Sequence, residues 1–185
     1  VWNTLLTQFF PFEEGYIVHP QFPICSDTID FHVTVTRNKA TGFFVEINPP
    51  KDFQNISARR DADNQMRKRF AQLYNSSPTE MYGVSAFGTR LCFYEMIKPG
   101  NDIKPVPVDL PSPLRVVDVA PEIWWDMDIL EEGGWGKFTE VTTHVKKLGT
   151  DERTSLLLSW RQRSSNIKLL TELRIQAFMS NTIVY

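Results

Sequence analysis

Residues 28–48 contain Thr28-Ile29-Asp30-Phe31-His32-Val33-Thr34-Val35-Thr36, a short turn near Lys39, and then Gly42-Phe43-Phe44-Val45-Glu46-Ile47-Asn48. Both halves alternate apolar and polar residues, the period of a half-buried strand. Ile29, Phe31, Val33 and Val35 share one face of the first strand; Phe43, Val45 and Ile47 share one face of the second. Paired as a hairpin, the strands collect Asp30, His32, Glu46 and Asn48 on the opposite face. Directly opposed side chains in an antiparallel pair stand about 5 Å apart. Two carboxylates that close need a shared cation, a proton or a solvated surface.

Upstream of this pair, Trp2, Leu5, Leu6, Phe9 and Phe10 have helical spacing and Pro11 ends the run. Gly15 to Phe22 reads as a strand cut short by Pro20 and Pro23. Downstream, Pro49 and Pro50 stop the second strand. A helix is expected from Ser57, as N-cap, to Tyr74, with Ala58, Ala62, Met66, Phe70 and Leu73 as its apolar stripe. Asp61, Gln65 and Arg69 form a polar row beside the stripe. Arg59, Arg60, Arg67, Lys68 and Arg69 make this the most basic part of the chain. Met81–Ala86 and Arg90–Lys98 read as two more strands joined at Gly88-Thr89. Residues 99–121 hold half of the twelve prolines and read as an extended connector. Helical character resumes at Trp124–Leu130, breaks at Gly133-Gly134, and returns over Phe138–Leu148 and Thr154–Ser180. The expected division is an α/β core over 1–98, a connector over 99–121, and a helical extension over 122–185 packing on the core or a partner.

The 185 residues include 42% apolar side chains, enough for a core, and carry a formal net charge of -2. No global basic field gathers nucleic acid, so phosphate binding would rest on a local patch. Cys25 and Cys92, the two cysteines, give neither a disulfide framework nor zinc-ligand spacing. No run is apolar enough to span a membrane and the first ten residues lack a basic leader, so an intracellular protein, in cytoplasm or nucleus, is expected. No phosphate-cradling Gly-Lys-Ser/Thr run, GxGxxG or GxSxG elbow occurs.

The order helix, three mainly antiparallel strands, helix, further strands resembles the restriction-endonuclease-like core of the PD-(D/E)xK nuclease superfamily, here with a C-terminal helical extension. Asp30 matches that family's Asp on the second strand. Glu46-Ile47-Asn48 matches its (D/E)xK, with Asn where Lys is expected. Gln65 matches a polar residue that the following helix turns toward the site. The segments 30–32, 45–50, 59–65 and 82–89 are also similar to an uncharacterised basidiomycete fungal group. The likeness covers roughly residues 1–98.

The resemblance implies a divalent-metal-dependent nuclease acting on DNA or RNA. Mg²⁺ or Mn²⁺ would be held by Asp30, Glu46 and the carbonyl of Ile47; it lowers the pKa of a nucleophilic water and stabilises charge on phosphorus. Read from the residues alone, Asp30 and Glu46 are either such ligands or solvent-facing strand residues. Asn48 donates hydrogen bonds but carries no charge and is no base. A cation would have to come from Lys51, just past the prolines, or from the helix, unless the site is silent. His32 is a ligand, a proton acceptor, a partner of Glu46, or a hydrogen-bonded residue at the site's edge. Arg60, Arg67 and Lys68 either hold a nucleic-acid backbone or form a solvated face paired with Asp61 and Asp63. Trp124, Trp125 and Trp135 fit core or interface packing better than base stacking, which leaves a protein partner or a homodimer through the aromatic C-terminal half. The alternative to the nuclease is a catalytically inactive module of the same fold.

Overall fold

The computed structural model describes residues 1–25, 27–35, 41–100, 102–108 and 118–149. The expected turn near Lys39 and the expected helix over Thr154–Ser180 lie outside them. The strands are β1 (Tyr16–Ile24), β2 (Asp27–Val35), β3 (Thr41–Asn48), β4 (Glu80–Phe87), β5 (Arg90–Ile97), β6 (Ile103–Lys104) and β7 (Met127–Asp128). They form one sheet in the order β1-β2-β3-β4-β5-β6, with β7 also paired to β5. The β3–β4 pair is parallel and its neighbours are antiparallel. A parallel pair needs a crossover, and α2 (Ile56–Leu73) supplies it. With α1 (Trp2–Phe9) ahead of β1, this is a mixed α/β fold with the order of a restriction-endonuclease-like core.

The sheet has a separate apolar core on each face. On one, Phe44, Met81, Phe87, Tyr94 and Met96 pack against Ala62, Met66, Phe70 and Leu73 of α2. On the other, Phe43, Val45, Val84, Ala86 and Leu91 pack against Leu6 and Phe10 near α1 and against Phe138, Val141 and Val145. The last three lie on a third helix, α3, which occupies 132–149 of the described residues. The first compact unit runs Val1–Leu148 and includes β6 and β7; the division expected from sequence places its boundaries at 98 and 121 inside it.

Several local expectations change. β1 continues through Pro20 and Pro23 because it is the sheet's outer strand, where a missing backbone donor costs little. The α2 cap is Asn55 rather than Ser57: its side chain accepts the Ser57 backbone N–H at 3.0 Å. Residues 122–128 form one 3₁₀ turn (Glu122–Trp125) and β7 instead of an α-helix. Gly133-Gly134 lies within the first turn of α3 rather than breaking it. A Cβ at Gly134 would stand 1.9 Å from the Asp128 carbonyl oxygen, so only glycine lets the helix approach β7 this closely.

β2 departs from simple alternation. Phe31 and Val33 pack in the α1/α3-side core as expected, but Ile29 belongs to the α2-side core. Paired residues of β2 and β3 run only from Phe31↔Val45 to Thr34↔Thr41. Past Phe31 the two strands part, and the far end of the β1–β2 hairpin, with Phe22, Ile24 and Ile29, turns toward α2. The fork opens at Asp30.

Candidate functional site

Asp30 sits in the fork and takes over a ladder position. Its Oδ2 accepts the backbone N–H of Ile47 at 2.8 Å, and its Oδ1 accepts Nε2 of Gln21 at 2.9 Å. Gln21 reaches it from a left-handed backbone conformation within β1, φ 50°. Glu46 lies beside Asp30, with the Asp30 N–H 3.5 Å from its Oε2. The structure thus brings the two motif carboxylates together.

Their surroundings differ from an open metal site. Glu46 is 1% exposed. Its Oε1 accepts Nε of Arg69, itself buried, at 2.5 Å. The guanidinium also donates to the Thr28 carbonyl (2.7 Å) and to Gln72 Oε1 (3.0 Å), and lies 3.3 Å from Asp27. Lys68 pairs with the same Asp27 at 2.6 Å and holds its carboxyl below the ordinary range. Burial pushes the Glu46 carboxyl above the ordinary range; the Arg69 contact is the largest opposing influence.

Asn48, at the motif's lysine position, donates from Nδ2 to the buried Ser85 Oγ at 3.2 Å. Ile47 is partly exposed. Lys51 stands exposed on the single turn Pro50–Asp52 and, among the described residues, makes no ion pair with either carboxylate. Gln65 is half-buried on α2, one turn before Arg69. His32 is buried, stacked on Phe22 with ring centroids 4.2 Å apart. Burial, with His19 nearby, pushes its pKa down to about 4, so it is neutral at physiological pH.

A divalent ion does not fit this arrangement. Mg²⁺ and Mn²⁺ need carboxylate oxygens open to the ion and its waters; here a fixed positive charge lies against Glu46. Among the described residues, no group of three or more His, Cys, Asp and Glu is arranged to hold a metal.

The basic residues of α2 are engaged within the fold. Arg59 bonds to the Phe53 and Ala120 carbonyls and to Asp118. Arg67 pairs with Asp63 at 2.9 Å and donates to the Ile103 and Pro105 carbonyls. Asp63 also accepts the Tyr94 hydroxyl at 3.1 Å. Arg59 and Arg67 therefore tie both ends of the proline-rich connector to the helix. Arg60 is exposed beside Asp61.

The sequence reading missed Arg69 as part of the site, although Gln65, Arg69 and Gln72, at i, i+4 and i+7, share one face of α2. It also missed a second cluster, on the opposite face of the sheet. Tyr82 donates to Glu80 (3.0 Å) and approaches Glu95 (3.3 Å). His144 of α3 meets the same Glu80 oxygen at 2.8 Å, and Lys104 meets Glu95 at 3.4 Å. Beside them lies a cleft of about 450 Å³ that Phe93 and Lys137 also line.

No family model matches the chain, and no curated protein matches it. Among solved structures, the type IIG restriction endonuclease BpuSI is similar over 81% of this chain and 16% of that one, with TM-score 0.44 and 14% identity. The fold class rests on the topology above. Among the described residues, no helix is long and apolar enough to cross a membrane.

Proposed function

We propose that this is a catalytically silent nuclease-fold domain that works through protein contacts rather than phosphodiester hydrolysis. The fate of the cations carries this reading. Asn48 replaces the motif lysine and is spent on Ser85; Arg69 is spent on Glu46, Lys68 on Asp27 and Arg67 on Asp63. Among the described residues, the cations that α2 brings nearest the carboxylates, Lys68 and Arg69, are already paired and are not free to meet transition-state charge on phosphorus. The same pairing leaves little of α2 to neutralise phosphates, and the net charge of -2 adds no attraction. Apolar side chains exposed near the start of α3, Leu130 and Trp135, favour a protein partner.

The test is cleavage of single- and double-stranded DNA and RNA in Mg²⁺ and in Mn²⁺, with binding measured at low salt. Wild type should show neither cleavage nor salt-sensitive binding, and Arg60→Glu/Lys68→Glu should change nothing. A divalent-dependent cleavage lost in Glu46→Ala would overturn the reading.

A second reading, the metal-dependent nuclease, is favoured by one observation: Asp30 and Glu46 are adjacent at the fork. It expects Asn48→Lys to raise cleavage by restoring a cation next to the phosphate.

A further inference from the structure

We infer that the cleft between α3 and strands β4 to β6 binds a protonated alkylamine about as long as a lysine side chain. The site stands apart from the Asp30–Glu46 pair, on the opposite face of the sheet, and is compatible with a silent fork.

The cleft measures about 450 Å³, within the roughly 300–1,000 Å³ of small-ligand pockets. Its floor is one cross-strand row, Tyr82↔Glu95↔Lys104, on β4, β5 and β6. Its wall is the α3 face that carries Lys137, Glu140, Val141 and His144, at i, i+3, i+4 and i+7. Phe93 and Val141 add an apolar side, and both pack against the α1/α3-side core. Groups from four elements therefore converge on one space.

The floor is short of a donor at Glu95. The Tyr82 hydroxyl has a single proton and gives it to Glu80 Oε2 at 3.0 Å. Glu95 Oε1, 3.3 Å away, is left facing the phenolic oxygen. Burial, with Glu80 and Glu95 adding to it, pushes the phenol well above its ordinary range, so it stays protonated. The cation nearest Glu95 is Lys104, 68% exposed and 3.4 Å away, a loose contact worth little. Lys137 is taken by Glu140 at 2.8 Å. Glu80, Glu95 and Glu140 thus outnumber Lys104 and Lys137. An anion here would face Glu80 and Glu95 and be repelled. An ammonium group, with several donors and no acceptor, meets Glu95 and the Tyr82 oxygen together and sends Lys104 into solvent. The rings of Tyr82 and Phe93 favour a cation, and Phe93 with Val141 suits its methylene stem.

The experiment titrates n-pentylamine and Nα-acetyl-lysine amide into the full chain at low salt and about pH 8, where both amines are protonated. The neutral control is n-pentanol, and the readouts are the Tyr82 and His144 ring resonances and Tm. Wild type should show saturable shifts of both rings and a raised Tm with an amine, and neither with n-pentanol. Glu95→Gln should weaken binding by about tenfold, the loss of one charge-assisted hydrogen bond. Lys104→Met should tighten it, because the competing ammonium is gone. Saturation by n-pentylamine alone names a free amine as the ligand; saturation by the lysine derivative names a side chain offered by a partner protein. Shifts that do not saturate, or that n-pentanol reproduces, overturn the inference, as does unchanged affinity in Glu95→Gln. Should Glu95→Gln fail to fold, Lys104→Met decides alone: tighter binding supports the site, and unchanged or weaker binding overturns it.

Discussion

Two carboxylate clusters lie on opposite faces of one sheet and are neutralised differently. On the α2 face, Glu46 is almost fully enclosed and is met by an arginine fixed at four partners. On the α3 face, the Glu80 side chain keeps 26% exposure, and its partners are Tyr82 and a 44%-exposed His144. Burial decides which partner suffices. Where water is excluded, a permanent charge is needed; where water reaches the group, a neutral hydroxyl and an imidazole are enough. The closed cluster is therefore structural, and the open one remains adjustable.

The largest effect should come from breaking the closed pair. Glu46→Ala leaves the Arg69 charge buried and should cost about 3–5 kcal/mol in denaturant unfolding. Glu80→Ala should cost less than about 1 kcal/mol. Replacing both members by apolar residues, Glu46→Met/Arg69→Met, should return most of the loss, since a packed apolar pair often equals a buried ion pair. Equal costs at Glu46 and Glu80 would erase the distinction between the faces.

The next effect is pH dependence on the α2 face. The folded pKa of His32, about 4, lies below its ordinary 6.5 because burial disfavours the imidazolium. The unfolded chain thus binds more protons between those values. Stability is complete above pH 6.5 and falls as pH drops toward 4, by at most about 3 kcal/mol. His32→Phe, which preserves stacking on Phe22, should flatten the stability–pH slope in that window. An unchanged slope would assign it to another group.

β2 to β5 and α2 were legible because their apolar periods were clean and because prolines and Gly88 marked their ends; the α2 cap, Asn55, was not. The pairing of Asp30 with Glu46 followed from face parity between strands adjacent up to Phe31. What the sequence hid is where tertiary context outweighs pattern. Proline in β1 argues against a strand until the strand is known to be an outer one. Ile29 obeys the alternation, yet it packs on the other face because β2 leaves β3 at Asp30. Arg59, Asp63 and Arg69 lie on a helix whose polar residues read as either a phosphate-binding or a solvated face, but all three are buried, since each finds a partner far away in sequence or one turn along α2. Composition alone cannot separate a basic helix that holds phosphate from one that holds its own fold together.

The smallest effect concerns the open cluster. His144 holds the Glu80 carboxyl below its ordinary value of 4.5, the hydrogen bond from His144 being the largest cause and Tyr82 a further one. A depressed carboxyl pKa gives stability that is present above about pH 4.5 and is lost as pH falls through the folded value. The sign matches that of His32, but the group is exposed, so screening keeps the contribution small, under about 1 kcal/mol. His144→Ala should raise the Glu80 pKa toward 4.5, read by side-chain carboxyl carbon chemical shifts across pH. Tyr82→Phe should raise it less, because Tyr82 is the weaker of the two hydrogen-bond partners. Neither variant should disturb the Glu46–Arg69 pair across the sheet, because among the described residues no shared hydrogen-bond or ion-pair partner links the two clusters. If His144→Ala shifted Glu46 as well as Glu80, the two faces would be coupled through β4 and β3, and the closed site could no longer be treated as independent of the cleft.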